Sequence, residues 1–270
     1  MKISVIIPTY KPGEYIWECL ESLVNQTFPK KDFEVLLVLN GCNEPYKGQI
    51  EAFISSKMRG MNVVFIQTDT PGVSNARNMA LDVAKGDFVT FIDDDDYVSA
   101  EFLEGLYESA DEDTVSLCYP YAFHDGKPDV QLKYGITEAY ELCAIHGCRG
   151  LSSTDRKFFS GPCMKLINMS FIHGRRFDVH FRNGEDSLFM FLISDKIKKL
   201  ALAPRTAVYY RRYRRDSAVT RKRSCLDRIG NAMRIIREYV KIYVKAYREY
   251  NLNFFITRIL ATVKGIFLFD

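Results

Sequence analysis

Paired cysteines are missing from this chain: its seven cysteines form an odd set with no C-x-x-C spacing, which offers neither a disulfide framework nor a structural zinc site. Free thiols in a reducing, cytoplasmic compartment are the corresponding expectation. The N-terminus, MKISVIIPTYKP, lacks the apolar stretch of roughly 7–15 residues and the small-residue cleavage site of a signal peptide. No segment offers the ~20 nearly uncharged apolar residues of a spanning helix, so the chain is expected neither to be secreted nor to cross a membrane. Internal repeats, low-complexity blocks and Pro/Ser-rich linkers are absent as well, which argues for one catalytic-sized domain with an extension rather than a string of modules.

What is present suits a globular protein. Of 270 residues, 47% are hydrophobic, 26% charged and 13% aromatic, enough to bury a full core without staples and unlike a disordered or collagen-like chain. The formal net charge is only +3, yet it is unevenly distributed. From Arg205 to Asp270, 16 basic residues stand against 5 acidic ones, an excess of +11, so the preceding residues carry −8. A basic tail on an acidic body points to an anionic contact for the C-terminal part. No nucleic-acid partner is expected.

The first third alternates short apolar runs with helical patterns. Ile3–Ile7 reads as a buried strand stopped by Pro8, followed by a helix over Tyr15–Leu23. Glu34–Leu39, Val63–Gln67 and Phe88–Ile92 read as further strands, and Val73–Ala84 as a helix behind the Pro71-Gly72 turn. Continuous apolar strands alternating with helices predict a parallel sheet covered on both faces, an α/β, Rossmann-like architecture. Ligands of such sheets bind beyond the carboxyl ends of the strands. Those ends are Pro8-Thr9-Tyr10, Asn40-Gly41 and the run Asp93-Asp94-Asp95-Asp96.

Four adjacent acids at a strand end are electrostatically costly. Two carboxylates about 6 Å apart repel by roughly 3 kcal/mol at an effective dielectric near 20. A divalent cation removes that cost, and oxygen ligands select Mg²⁺, Mn²⁺ or Ca²⁺. Alternation along an extended segment puts Asp93 and Asp95 on one side. The plainer alternative is a solvated acidic turn with Asp96 capping the next helix.

In their order, SVIIPTY, FEVLLVLNGC, GVSNARNMALDVAKGDFVTFIDDDDY and GEDSLF resemble the inverting family 2 glycosyltransferases of the GT-A fold, closely over roughly the first 100 residues and more loosely to about Thr220. The resemblance implies a GT-A fold with a mostly parallel central sheet and a helical C-terminal extension. It also implies a nucleotide-sugar donor, a UDP-sugar foremost, and inverting transfer to the hydroxyl of a saccharide or lipid-linked saccharide acceptor in cell-surface polysaccharide synthesis. Residues 1–98 become the donor-binding half, 99–224 the acceptor-binding half and 225–270 a basic amphipathic tail. Pro8, Thr9 and Tyr10 match the segment along the nucleobase. Asn40 stands where the family usually has a base-contacting aspartate, LNGC replacing DDGS. Arg77 matches a basic residue close to the diphosphate; read alone it is a surface residue in the first turn of a helix, mildly disfavoured there by the helix dipole. Asp93 matches the acid near the ribose, with Asp94 counted in the donor site. Asp95 matches the ligand of a Mn²⁺ or Mg²⁺ ion, and Asp96 a supporting or capping group.

Inversion requires a base, and Asp186 in FRNGEDSLF matches the family's base position, beside Glu185 and ahead of the helical run Leu188–Ile193. Read alone, the same acids are helix-capping residues. His173 and His180 could reach a metal or acceptor but read more simply as surface residues, His124 and His146 have no argued role, and Lys165 resembles a recurring family lysine. Arg211, Arg212, Arg214 and Arg215 form a cationic run, followed by Arg221, Lys222 and Arg223; the resemblance implies that the segment YYRRYRRDSAVT closes over the donor diphosphate, and read alone the run is a solvated surface. Beyond it, Arg234, Arg237, Lys241, Lys245 and Arg248 share one helix face, with Ile229, Met233, Ile236, Val240, Tyr243, Tyr247 and Tyr250 opposite. That pattern reads as a peripheral membrane element on the inner face, a helix packed on the core, or a homodimer contact. Two other functions compete: a sugar nucleotidyltransferase, which would carry a Gly-rich loop after the first strand, and a non-catalytic membrane-surface partner that keeps the fold.

Overall fold

The computed structural model describes residues 1–148, 150–151, 155–181, 183–214 and 224–267. Its first part runs β1 (Ile3–Thr9), α1 (Tyr15–Val24), β2 (Phe33–Asn40), α2 (Tyr46–Lys57), β3 (Asn62–Thr68), α3 (Val73–Val83) and β4 (Phe88–Phe91). The chain continues with β5 (Tyr97–Val98), α4 (Phe102–Glu108), β6 (Thr114–Leu117), β7 (Tyr119–His124), β8 (Lys127–Gln131) and α5 (Gly135–His146). It closes with β9 (Lys165–Asn168), α6 (Met169–Ile172), α7 (Glu185–Leu192), β10 (Lys199–Leu202), β11 (Val208–Tyr213), α8 (Cys225–Lys245) and α9 (Leu252–Phe267).

The larger sheet has the order β10-β6-β9-β4-β1-β2-β3, in which β4, β1, β2 and β3 are mutually parallel and β9 runs antiparallel to both its neighbours. The smaller sheet has the order β5-β11-β7-β8. The expected α/β fold with a mostly parallel central sheet is borne out. Period-two alternation sorts the apolar strands between two cores. Ile3, Val5 and Ile7 of β1 face α1, whose Ile16, Cys19, Leu20 and Leu23 recur at helical spacing, whereas Ile6 faces Ala76 and Ala80 of α3. The two alanines let α3 lie close on β1 and β2.

Polar residues inside these strands have a purpose. Ser4 and Glu34 are buried, and Glu34 Oε1 accepts from Ser4 Oγ at 2.7 Å and from the Lys85 N–H at 2.6 Å, while Ser4 Oγ accepts from the Gly86 N–H at 2.9 Å. The pair satisfies the backbone of the turn that delivers β4.

Three expectations need correction. β1 does not stop at Pro8 but runs through it to Thr9. The Ile6 carbonyl accepts from the Ile92 N–H, so by alternation Pro8 also faces the β4 side, past the end of that strand, where its missing N–H breaks no ladder bond. The cysteines are not all free: Cys143 and Cys148 are bonded across the turn at Gly147 that ends α5, while Cys19, Cys42, Cys118 and Cys163 are free thiols. A turn can bring sulfurs together at a spacing that no C-x-x-C pattern marks.

The third correction concerns the tail. Its inner surface is core: Ala232, Ile235 and Tyr239 of α8 and Phe254 of α9 are buried against α7, with Phe191 stacked on Tyr250 and Phe254 and edge-on to Tyr239. Of the apolar stripe singled out in the sequence, Ile229, Met233, Val240 and Tyr247 face outward, whereas Tyr243 and Tyr250 pack on Phe255 and Phe191. Because α8 is apolar over most of its circumference, periodicity alone could not choose which stripe the core would take.

A Cβ built on Gly86 would lie 2.5 Å from the Ser4 nitrogen and 2.7 Å from the Phe88 carbonyl oxygen, both backbone atoms. Gly86→Ala is therefore expected to cost about 2–3 kcal/mol of stability, read as a lowered urea midpoint at unchanged slope. An unchanged midpoint would mean that β1 and the Lys85-Gly86 turn are not packed this closely.

Candidate active site

The site forms where β1, β2 and β4 end side by side. Asn40, the last residue of β2, is buried and gives both ends of its amide to the protein: Nδ2 donates to the Thr9 carbonyl at 2.7 Å, and Oδ1 accepts from the Gly72 N–H at 2.8 Å. It ties the end of β1 to the start of α3, a bracing role not foreseen for it. Pro8 and Thr9 are buried, whereas Tyr10 projects with half its surface exposed and the Lys11 ammonium over its ring.

The four acids that follow β4 have four different partners. Asp93 pairs with Arg77 at 3.0 Å, and Asp94 accepts from the Thr9 hydroxyl at 2.5 Å. Asp95 pairs with Arg214 Nε at 2.7 Å. Asp96 is buried, accepting from the Tyr209 hydroxyl at 2.8 Å and from the Arg212 N–H at 2.7 Å. Tyr209 in turn accepts from the Asp93 N–H at 3.1 Å, so β11 latches the acid turn from behind. Asp96 is thus a supporting group, as its adjoining position suggested. Sequence reasoning missed Tyr209, which is one of three tyrosines in the strand VYYRRY and carries no signal of its own.

Arg77 is not a surface residue. It is 2% exposed on the sheet-facing side of α3, stacked over the Phe177 ring, and its two terminal nitrogens reach different carboxylates: Asp93 at 3.0 Å and Asp186 at 2.6 Å. Burial lowers the guanidinium's affinity for its proton, but Asp186 and Asp93 outweigh that and push its pKa up. Asp186 lies in the first turn of α7, entered through Gly184 with φ +84°, a left-handed turn that favours glycine. The helix N-cap is Gly184, and the Asp186 carboxylate turns to Arg77 instead of capping the backbone. Burial raises its pKa, with Arg77 opposing the shift and Asp93 adding to it.

Burial likewise raises Asp94 to about 7, aided by Asp95 and Asp93 and opposed by the Thr9 hydrogen bond. Asp95 is raised by burial and by Asp93 against the pull of Arg214. A crowded all-oxygen set that resists ionisation fits a hard divalent cation at Asp95, with Asp93 and Asp94 beside it. Among the described residues no three His, Cys, Asp or Glu side chains form a metal cage, which suits an ion that takes one or two carboxylates and completes its shell with water and phosphate.

His180 is exposed and sits 2.9 Å from Asp178, and His173 is an exposed residue at the end of α6. Arg211 is turned to Tyr134, and Arg212 to Glu18, Asp125 and the Asp95 carbonyl. Arg215, Arg221, Lys222 and Arg223 lie outside the described residues. Lys165 is buried at the start of β9, donating to the Gly161 and Cys163 carbonyls, and burial lowers its pKa to about 8.

Removing the buried cation should expose its importance. Arg77→Met is expected to cost about 3 kcal/mol near neutral pH, because it strands two carboxylates. The deficit should shrink on acidification. Without Arg77 the already raised pKa of Asp186 rises further, so its protonated form is favoured in the folded state. Its stabilising contribution is full below the unfolded value near 4 and is lost as pH rises through the folded one. Urea unfolding at pH 5 and pH 8 measures this; a deficit that grows on acidification would contradict the bridge.

Residues 4–177 match the family described as Glycosyl transferase family 2. The poly(ribitol-phosphate) beta-glucosyltransferase of Bacillus spizizenii is 29% identical over 228 residues, covering 78% of this chain and 32% of that protein. Glycosyltransferase GlyG of Streptococcus pneumoniae is 30% identical over 189 residues, covering 67% of this chain and 60% of the relative. The chain therefore spans about a third and three fifths of these two curated relatives. The crystal structure of S. aureus TarS 1-349 with UDP-GlcNAc superposes with a TM-score of 0.74 at 24% identity, covering 98% of this chain and 73% of that one, a likeness of fold. With the matched segment running from β1 past the acid turn to the Phe177 ring beneath Arg77, the chain belongs to glycosyl transferase family 2.

Proposed function

We propose that the chain transfers a sugar from a UDP-sugar donor to an acceptor hydroxyl, with inversion at the sugar carbon and with help from a divalent cation. The carrying observation is the bridge Asp93–Arg77–Asp186, which couples an acid of the strand-end turn to the candidate base. On this reading the nucleoside lies against Tyr10, at the strand ends that the buried Pro8, Thr9 and Asn40 shape from beneath, and its ribose and diphosphate lie against Asp93, Asp94 and Asp95. Mn²⁺ or Mg²⁺ held by Asp95 would, when bound, neutralise charge on the departing diphosphate.

The chain's own residues perform the remaining work. Arg77 orients Asp93 and Asp186 and adds its positive field where the diphosphate gains charge. Asp186 accepts the acceptor's proton on the carboxylate oxygen that Arg77 leaves free, while the acceptor oxygen bonds to the sugar carbon from the face opposite the phosphate. The bond to the β-phosphate oxygen breaks with its electron pair staying on UDP. The relative named for poly(ribitol-phosphate) beta-glucosyl transfer supports a polyol-phosphate or saccharide polymer as acceptor, and the UDP-GlcNAc complex of TarS supports a UDP-sugar donor.

UDP release from UDP-glucose and UDP-GlcNAc, with a polyol-phosphate oligomer and Mn²⁺, tests the reading. Asp186→Asn should keep donor affinity within about threefold and lose about a thousandfold in kcat. A variant within tenfold of the parent would remove Asp186 from the base role. In the parent enzyme, kcat/KM should fall on the acid side at a pH above the usual aspartate value near 4, because burial raises Asp186.

A further inference from the structure

We infer that the outer face of the α8–α9 hairpin docks on an anionic lipid surface. Among the described residues, the large apolar side chains left exposed are concentrated here: Leu226, Met233 and Val244 on α8, at 81%, 66% and 66%, and Leu260 and Phe267 on α9, at 61% and 77%. These are not scattered. At about 100° per residue, Leu226, Ile229, Met233, Val240 and Val244 fall within one stripe of α8 about 60° wide. Leu252, Ile256, Leu260, Val263 and Phe267 form a second stripe along the outside of α9.

The two helices lie antiparallel, with Arg228 at the start of α8 bonded to the Gly265 carbonyl near the end of α9, and Tyr243 stacked on Phe255 at the other end. Their opposite sides hold the core contacts of Tyr239, Phe254 and Arg258, so the outward stripes do not serve the fold. A contiguous exposed apolar face of this kind marks an interaction site.

Charge selects the occupant. Arg234, Arg237, Lys241 and Lys245 occupy the stripe of α8 directly beside the apolar one, and these four, like Arg248 just past the helix, are exposed. The acids of α8, Asp227 and Glu238, fall at the edge of that basic stripe away from the apolar residues, with Glu238 paired to Lys241 at 2.6 Å. Apolar side chains flanked by cations match an interface with acyl chains beneath anionic headgroups, and each cation near such a surface adds about 1 kcal/mol, a factor of about five. None of the helices among the described residues is long and apolar enough to cross a membrane, so the contact is a peripheral one.

The geometry also links this face to the site. On its inner side α8 supports the turn that carries Asp186: Asn231 Nδ2 donates to the Asn183 carbonyl at 3.2 Å, and the Tyr239 and Ser187 hydroxyls are 2.8 Å apart. A hairpin lying on lipid would hold the start of α7 about one helix diameter, ~10 Å, from the surface.

Co-sedimentation of the full chain with sucrose-loaded vesicles tests the inference, comparing pure phosphatidylcholine with a 70:30 mixture of phosphatidylcholine and phosphatidylglycerol. Binding to the anionic vesicles should be at least tenfold tighter and should weaken in 0.5 M salt. Met233→Glu with Leu260→Glu, and separately Arg237→Gln with Lys241→Gln, should each weaken it at least tenfold. Because these side chains are exposed, the thermal midpoint and UDP release from soluble substrates should stay unchanged. Equal sedimentation with both vesicle types, or none with either, would overturn the inference. So would a concentration-dependent dimer that forms without lipid and is abolished by the Met233→Glu and Leu260→Glu pair, since a second copy would then cover the face.

Discussion

A guanidinium buried between two carboxylates is stable only if both acids arrive, and the candidate site is organised around that requirement. Arg77 meets Asp93 and Asp186, respectively 16 and 109 residues away in sequence, and no water-filled alternative exists for a side chain 2% exposed. α3 must therefore sit close on the sheet, the acid turn must follow β4 in register, and α7 must begin where Gly184 places it. The small residues of α3, the Ser4–Glu34 brace and the packing of α8 behind α7 each serve one of these demands.

The acid turn shows how a cluster of like charges is accommodated by giving each member a different environment. Asp93 receives a buried cation, Asp94 a hydroxyl, Asp95 a cation from the segment after β11, and Asp96 a tyrosine and a backbone N–H. Only Asp96 is wholly enclosed and spoken for by neutral donors, which suits a structural member. The others are only partly buried, and the raised pKa values of Asp94 and Asp95 mark oxygens poised for positive charge.

The C-terminal hairpin has two characters on two faces. Its inner face completes one of the two cores through Tyr239 and Phe254, while its outer face keeps apolar side chains and cations in adjacent stripes. A helix that needed only to pack on the protein would gain nothing from outward leucine, valine and phenylalanine, whose exposure to water is unfavourable.

Much of the α/β core was legible in the order of residues, because continuous apolar runs such as Ile3–Ile7 and helix-spaced sets such as Ile16, Cys19, Leu20 and Leu23 record burial locally. The strand-end acids stood out because polar groups directly after apolar runs have no packing role to explain them, whereas Arg77 and Asp186, which read alone are a surface residue and a helix cap, stood out only through the family resemblance. The partners of those groups were hidden. Nothing near Arg77 in sequence announces Asp186, Asn40 does not advertise the Gly72 N–H that occupies it, and Tyr209 looks like any core aromatic. Which stripe of α8 would turn inward was equally undetermined, since periodicity reports that a face is apolar and not what will meet it. Local pattern sets the elements; the pairing of buried charges and the choice between two apolar faces depend on free energies of contact that exist only once distant segments are packed together.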